Sequence, residues 1–168
     1  MKNSTLIFTL NLFLFVWTCQ GVNAQNYKVA FGPRLGMSNG VSLKYVSKSP
    51  NTLEAILHSA HQGLRITGMY QYLRPFNGRT YTSGLHYFVG VGGHFANYNN
   101  FEYTDIDGFI KSASYQGFGV DLVAGLEYSF SAPLSLSIDF KPYYEVQTLE
   151  LAPSHFLDVS LTIRHTFF

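Results

Sequence analysis

The chain is nearly without cysteine: Cys19 is the single one in 168 residues. It lies among the first two dozen residues, so the rest of the chain has neither a disulfide nor a thiol nucleophile. Charge is scarce too. Asp, Glu, Lys and Arg make up 12% of the sequence, against about 25% in soluble domains, and 11 bases nearly cancel 10 acids. With no surplus of either sign, neither nucleic acid nor an acidic partner is indicated. A helical periodicity is also missing after the first residues, and no linker or low-complexity run divides the chain. Aromatic residues, by contrast, reach 17%. Something other than a charged surface must keep this protein dispersed.

The first residues set the compartment. Lys2 is the only charge ahead of an apolar run from Leu6 to Trp17, and Val22-Asn23-Ala24 supplies small residues where a signal peptidase would cut. The run is shorter than the roughly 20 residues a membrane anchor needs. A lipid-modified Cys19 is the weaker alternative, because Trp17 and Thr18 precede it where small residues are wanted. The expectation is a signal peptide over 1–24 and one domain over 25–168.

That domain reads as period-two segments throughout. The stretch "PLSLSIDFKPYYEV", Pro133 to Val146, alternates Leu134, Leu136, Ile138 and Phe140 with Ser135, Ser137, Asp139 and Lys141. Eight strands are expected, over 27–36, 40–47, 52–60, 63–74, 83–97, 115–130, 134–146 and 156–167. Turn chemistry separates them at Ser38-Asn39-Gly40, Ser49-Pro50-Asn51, Asn77-Gly78 and Ala132-Pro133. One parity is apolar from Tyr27 to Phe167, with His165 as a titratable intruder. The other collects Lys28, Arg34, Lys44, Arg65, Lys141 and Arg164 against Glu54, Asp121, Glu127, Asp139, Glu145 and Asp158, interspersed with glycines.

Alternation alone fits a soluble barrel as well as a membrane one. Three features favour the apolar face outward. The polar parity is rich in glycine, which suits a narrow lumen that side chains must fill. Tyr27, Tyr45, Tyr70, Tyr72, Tyr87 and Tyr128 gather toward one end, as an interfacial girdle requires. The longer connections, 97–114 and 147–155, leave the end opposite the termini, although 75–82 is long for an inner turn. In hydrocarbon every backbone polar group needs a partner, so the sheet must close. The fold expected is therefore all-β: an eight-stranded antiparallel up-and-down transmembrane barrel.

The segments "GLEYSFSAPLSLSIDFKPYYE" and "FLDVSLTIRHTFF" resemble the small eight-stranded outer-membrane β-barrel proteins of Gram-negative bacteria, including the OmpX type in architecture. The resemblance implies residence in the outer membrane with both termini periplasmic, contact with membrane lipid and lipopolysaccharide, and insertion by the barrel machinery through the C-terminal strand. The family usually ends on a lipid-facing aromatic. Here Phe167 holds that parity and Phe168 lies one residue beyond it. Members include adhesins, structural proteins and enzymes, so the resemblance names no task.

Candidate chemistry is sparse. "DIDG", Asp105 to Gly108, opens like a calcium loop but lacks the later ligands. His58, His61 and Ser154-His155 could furnish hydrolase groups, yet nothing in the sequence joins them to one another or to an acid. His86 and His94 lie eight residues apart on one strand, roughly 26 Å, too far to share a metal. No cofactor, metal or catalytic residue is expected. The lumen charges form the expected network, and the segment 97–114, with Tyr98, Phe101, Tyr103, Asp105, Asp107 and Phe109, is expected to be an exposed recognition loop. A monomer acting in envelope structure, adhesion or surface interaction is the reading. A rim enzyme acting on lipid A or phospholipid and a small passive pore are its rivals.

Overall fold

The computed structural model describes residues 27–48, 50–60, 63–76, 84–104, 110–148 and 157–167. They form eight strands: β1 (Val29–Gly36), β2 (Asn39–Lys48), β3 (Asn51–Ala60), β4 (Gly63–Pro75), β5 (Leu85–Thr104), β6 (Ile110–Ser129), β7 (Leu134–Gln147) and β8 (Leu157–Phe167). Each pairs antiparallel with the next, and β1 closes on β8 from Val29↔Phe167 to Gly36↔Ser160. The result is a closed barrel without a free edge around its wall. The expected signal peptide, residues 1–24, lies outside the described residues, as do His61, Asp105, Asp107, Phe109, Ser154, His155 and Phe168.

Alternation places the two faces as the pairing dictates. Phe31, Leu43, Val91, Leu122, Ile138 and Leu161 point outward and are 40–57% exposed, while Arg34, Lys44, Glu127 and Arg164 inside are at most 1% exposed. Charged residues are almost never fully buried unless paired, and a water-facing shell does not carry an unbroken apolar coat. This inversion suits hydrocarbon outside and a sealed interior. Tyr45, Tyr70, Tyr72 and Tyr87 are exposed at the end that holds the termini, with Tyr128 half-buried beside them. His165 also faces outward, stacked on Phe167 at 4.6 Å.

Two positions at the start of the chain depart from the expected parity. Tyr27 turns inward and is buried, and Lys28, assigned by alternation to the lumen, is exposed. A bend at residue 28, ahead of β1, reverses the alternation before the strand begins, although Lys28 still bonds its backbone to Phe167 and Val46. The lumen therefore holds five of the six expected bases.

The segment 97–114 is largely strand and not loop. β5 continues to Thr104, β6 begins at Ile110, and the two stay paired from Phe101↔Ala113 to Thr104↔Ile110 after a register shift past Tyr98. β4 leaves β5 at Gly63↔Tyr98, and β7 leaves β6 at Gly117↔Gln147. Beyond those pairs a two-stranded ribbon stands clear of the wall on the side opposite the termini.

The lumen is not uniformly polar either. Ile56, Met69, Leu73, Phe88 and Val123 form a buried apolar cluster against β3 to β6. Glycine makes the space: a Cβ at Gly125 would overlap the Phe88 ring, and one at Gly92 would overlap the Met69 sulfur.

Candidate functional site

The site built by these strands is the filled lumen and the mouth it closes. Toward the termini, Glu127 of β6 accepts from the Tyr27 hydroxyl and from Lys44 of β2 at 2.7 Å. Arg164 of β8 lies between two carboxylates, bonded to Glu54 of β3 and 3.5 Å from Glu127. Its remaining donors reach Ser42 at 2.9 Å and Ser137 at 2.8 Å. Lys44 also rests over the Phe88 ring, 4.6 Å from its centre, which joins the charged and apolar halves of the lumen.

At mid-height the Arg34 guanidinium meets Asp139 with two parallel bonds of 2.8 Å and Asp158 at 3.3 Å. A planar guanidinium fits a carboxylate in this forked way, so the pair fixes orientation as well as charge. Lys141 follows, 3.7 Å from Asp158 and 3.2 Å from Asp121. From Asp121 the chain of bonds runs on: His94 Nδ1 lies 2.6 Å from Asp121, and His94 Nε2 lies 2.9 Å from Glu145. With a carboxylate at each ring nitrogen, His94 satisfies both only by carrying two protons. That second proton would restore the balance lost by the outward Lys28.

The far mouth is closed by aromatic residues. Arg65 of β4 bonds Glu145 at 3.2 Å and the Tyr98 hydroxyl at 2.6 Å, and lies 4.4 Å from the centre of the Tyr143 ring. Tyr98 donates to Glu145 at 3.0 Å and stacks on Tyr115 at 4.6 Å. Tyr98, expected on an exposed loop, is thus buried within the wall, because β5 passes through that position still paired to β4. Phe101 and Tyr103 lie on β5 in the ribbon.

Parity locates most lumen charges but misses Tyr98, Tyr115 and Tyr143, whose neighbours do not alternate cleanly. The one available signal was the inward parity of Tyr143, two residues after Lys141 in β7. His58 is buried with Nε2 3.3 Å from the Thr67 hydroxyl, and no carboxylate orients its other nitrogen. Among the described residues no hydrolytic base is assembled around His58. His86 sits half-buried at the rim, its Nδ1 3.0 Å from the Gly84 carbonyl. Among the described residues no cluster of three or more potential ligands could hold a metal. The Gly90–Gly93 run lies inside β5 and offers no phosphate loop.

Comparison by sequence finds no matching family model and no matching curated protein. By structure, the chain resembles the N-terminal β-barrel domain of Pseudomonas aeruginosa OprF, seen in a crystal structure, with a TM-score of 0.62 at 17% identity. The match covers 83% of this chain and 95% of that domain. The likeness is one of fold: an eight-stranded antiparallel closed barrel.

Proposed function

We propose that this chain is a monomeric outer-membrane barrel of a Gram-negative bacterium. Its lumen is a structural plug, and its work is done outside by the β5–β6 ribbon, in adhesion, envelope structure or another surface interaction. The observation that carries this reading is a pair of packed ion-pair networks, one joining Lys44, Glu127, Arg164 and Glu54 and the other running from Asp139 to Arg65, which fill the barrel with charges already paired to one another. Such a lumen leaves little for a permeating ion to follow, which disfavours the passive pore. The lipid-facing wall offers a macromolecular ligand only apolar surface, so recognition falls to the ends. The ribbon that extends 97–114 beyond β4 and β7 is the element best placed for it. OprF, whose barrel domain this chain resembles, is an outer-membrane protein of Gram-negative bacteria, which supports the location. On this reading both termini are periplasmic, β8 is the strand offered to the insertion machinery, and membrane lipid and lipopolysaccharide surround the wall.

An epitope tag at Asp107 tests it on intact cells. Antibody access, together with binding to a surface ligand screen that disappears when the ribbon is trimmed, is the expected result. A tag reached only after the outer membrane is broken overturns the orientation. Altered lipid A or phospholipid on overexpression would overturn the non-enzymatic role.

A further inference from the structure

The outer wall is not evenly coated. On its β2–β5 side, Leu43, Tyr45, Leu53 and Tyr70 border a depression of about 470 Å³ whose floor is Ala55 and Gly68. Nothing lies within 4 Å of where a Gly68 Cβ would stand, so this gap is open to the outside and not filled by a neighbour. Its exposed lining is almost wholly apolar, and it faces the zone that hydrocarbon would occupy. Along β4 the outward positions Gly68, Tyr70 and Tyr72 lead from this groove toward the end holding the termini, about 13 Å at the usual rise of a strand.

At that end a second cavity of about 590 Å³, of mixed polar and apolar lining, is bordered by Tyr72, Arg74, Pro75, Phe76 and Tyr87. Arg74 lies over the Tyr72 ring, 4.8 Å from its centre, and its Nε donates to the Tyr72 hydroxyl at 2.7 Å, as does one Nη2 proton. Two of about five guanidinium N–H groups are so used, and the others have no partner among the described residues. The Tyr72 hydroxyl accepts from Arg74 and keeps its own proton to donate. Among the described residues no acid bonds or pairs with the guanidinium. Of the charged side chains described, all six acids lie in the lumen and only Lys28 and Arg74 face outward, both positive and both at this end.

A forked, partly unpaired guanidinium beside a free hydroxyl proton is a receptor for a phosphate. An apolar groove one chain length away is a receptor for an acyl tail. We propose that this wall holds one glycerophospholipid molecule, its phosphate on Arg74 and Tyr72 and one acyl chain lying along Tyr70 into the groove over Gly68. The site rests on the membrane reading and places the lipid in the leaflet at the termini. There it fixes the barrel's depth and rotational position against the surrounding lipid.

The folded full-length protein in detergent, presented separately with dioleoylphosphatidylglycerol, dioleoylglycerol and glycerol 3-phosphate, tests this by native mass spectrometry. The phospholipid should bind one to one and about tenfold or more tighter than either fragment, since each fragment satisfies only half the site. Arg74→Gln should lower phospholipid binding to the level of dioleoylglycerol, and Arg74→Lys should restore part of it. Gly68→Phe, which meets no neighbour at its Cβ, should weaken the phospholipid and leave glycerol 3-phosphate unchanged. Equal binding of phospholipid and dioleoylglycerol by the wild type, or phospholipid binding indifferent to Arg74→Gln, overturns the site. Indifference to Gly68→Phe removes the acyl groove from it. Heat-modifiable migration is read on the same samples. A wild type without a heat shift fails the membrane reading, whereas a heat-shifting wild type that binds all three probes alike fails the lipid site alone.

Discussion

His94 and Gly119 are direct cross-strand partners in β5 and β6, and a Cβ on residue 119 would overlap the imidazole ring. The glycine is thus the space into which the histidine folds on its way to Asp121 and Glu145. Gly119→Ala should displace the ring and destabilise the barrel by about 1–3 kcal/mol, the usual effect of overpacking. Gly68→Ala, outward and unobstructed, should stay within about 0.5 kcal/mol of wild type. Denaturant titrations read by gel migration of unboiled samples check both, and equal effects would contradict the packing.

Asp139 holds Arg34 by two bonds and accepts a third from Ser160 at 3.0 Å. Removing one partner of a buried pair usually costs about 3–5 kcal/mol, and because Arg34 keeps Asp158 at 3.3 Å, Asp139→Ala should fall at the low end, about 3 kcal/mol. Lys44→Ala should belong to the same class, because it takes away the nearest cation of the buried Glu127 and leaves only Arg164, 3.5 Å away, as a counter-charge. Lys28→Ala belongs with surface changes, within about 0.5 kcal/mol. The contrast between the two lysines checks the reversal of parity at residue 28: if Lys28→Ala proves as damaging as Lys44→Ala, the outward placement is wrong.

That reversal shows what sequence reading could and could not reach. Period-two alternation was legible over all eight strands because two opposed environments act at every position, and a one-residue slip would move a whole strand's side chains to the wrong face. The five bases and six acids of the lumen followed from parity alone. The Tyr27–Lys28 exchange did not, since a single bend ahead of the strand resets the count. Nor did the ribbon, where amide- and tyrosine-rich sequence pairs through its backbone without an apolar face to announce it. The apolar cluster of Ile56, Met69, Leu73, Phe88 and Val123 was hidden for a different reason. Apolar residues on the polar parity read as noise until the strands around them are closed into a ring.

The continuous bonding from Asp139 to Arg65 bears on permeability. Every described lumen acid has a basic partner within 4.0 Å, and an ion entering would have to displace one of those partners. The reconstituted wild type should show no steady single-channel current in planar bilayers. Replacing both Arg65 and Glu145 by alanine removes a paired set without leaving either charge alone, so the barrel should survive while its far mouth widens. Steady current from the wild type would refute the plug.

The β5–β6 ribbon can be removed without touching the wall, provided the cut respects the buried tyrosines. Tyr98 anchors Arg65 and Glu145, and Tyr115 stacks against it, so a deletion that takes either would open the mouth as well as shorten the hairpin. Joining residue 99 to residue 114 through an Asn-Gly turn keeps both, and a hairpin needs only about two residues to close. The ribbon contributes little to the barrel's own stability, because past Tyr98 neither of its strands pairs with β4 or β7, and a lone two-stranded hairpin is marginal in water. The trimmed protein should therefore insert, shift on heating and resist denaturant as the wild type does. A second variant carrying the same deletion together with Tyr98→Ala should be measurably less stable, which separates the wall from the ribbon. If the ribbon carries recognition, surface binding is lost in the first variant while the barrel is intact. Binding that persists in an intact trimmed barrel would assign recognition to another part of the outer end.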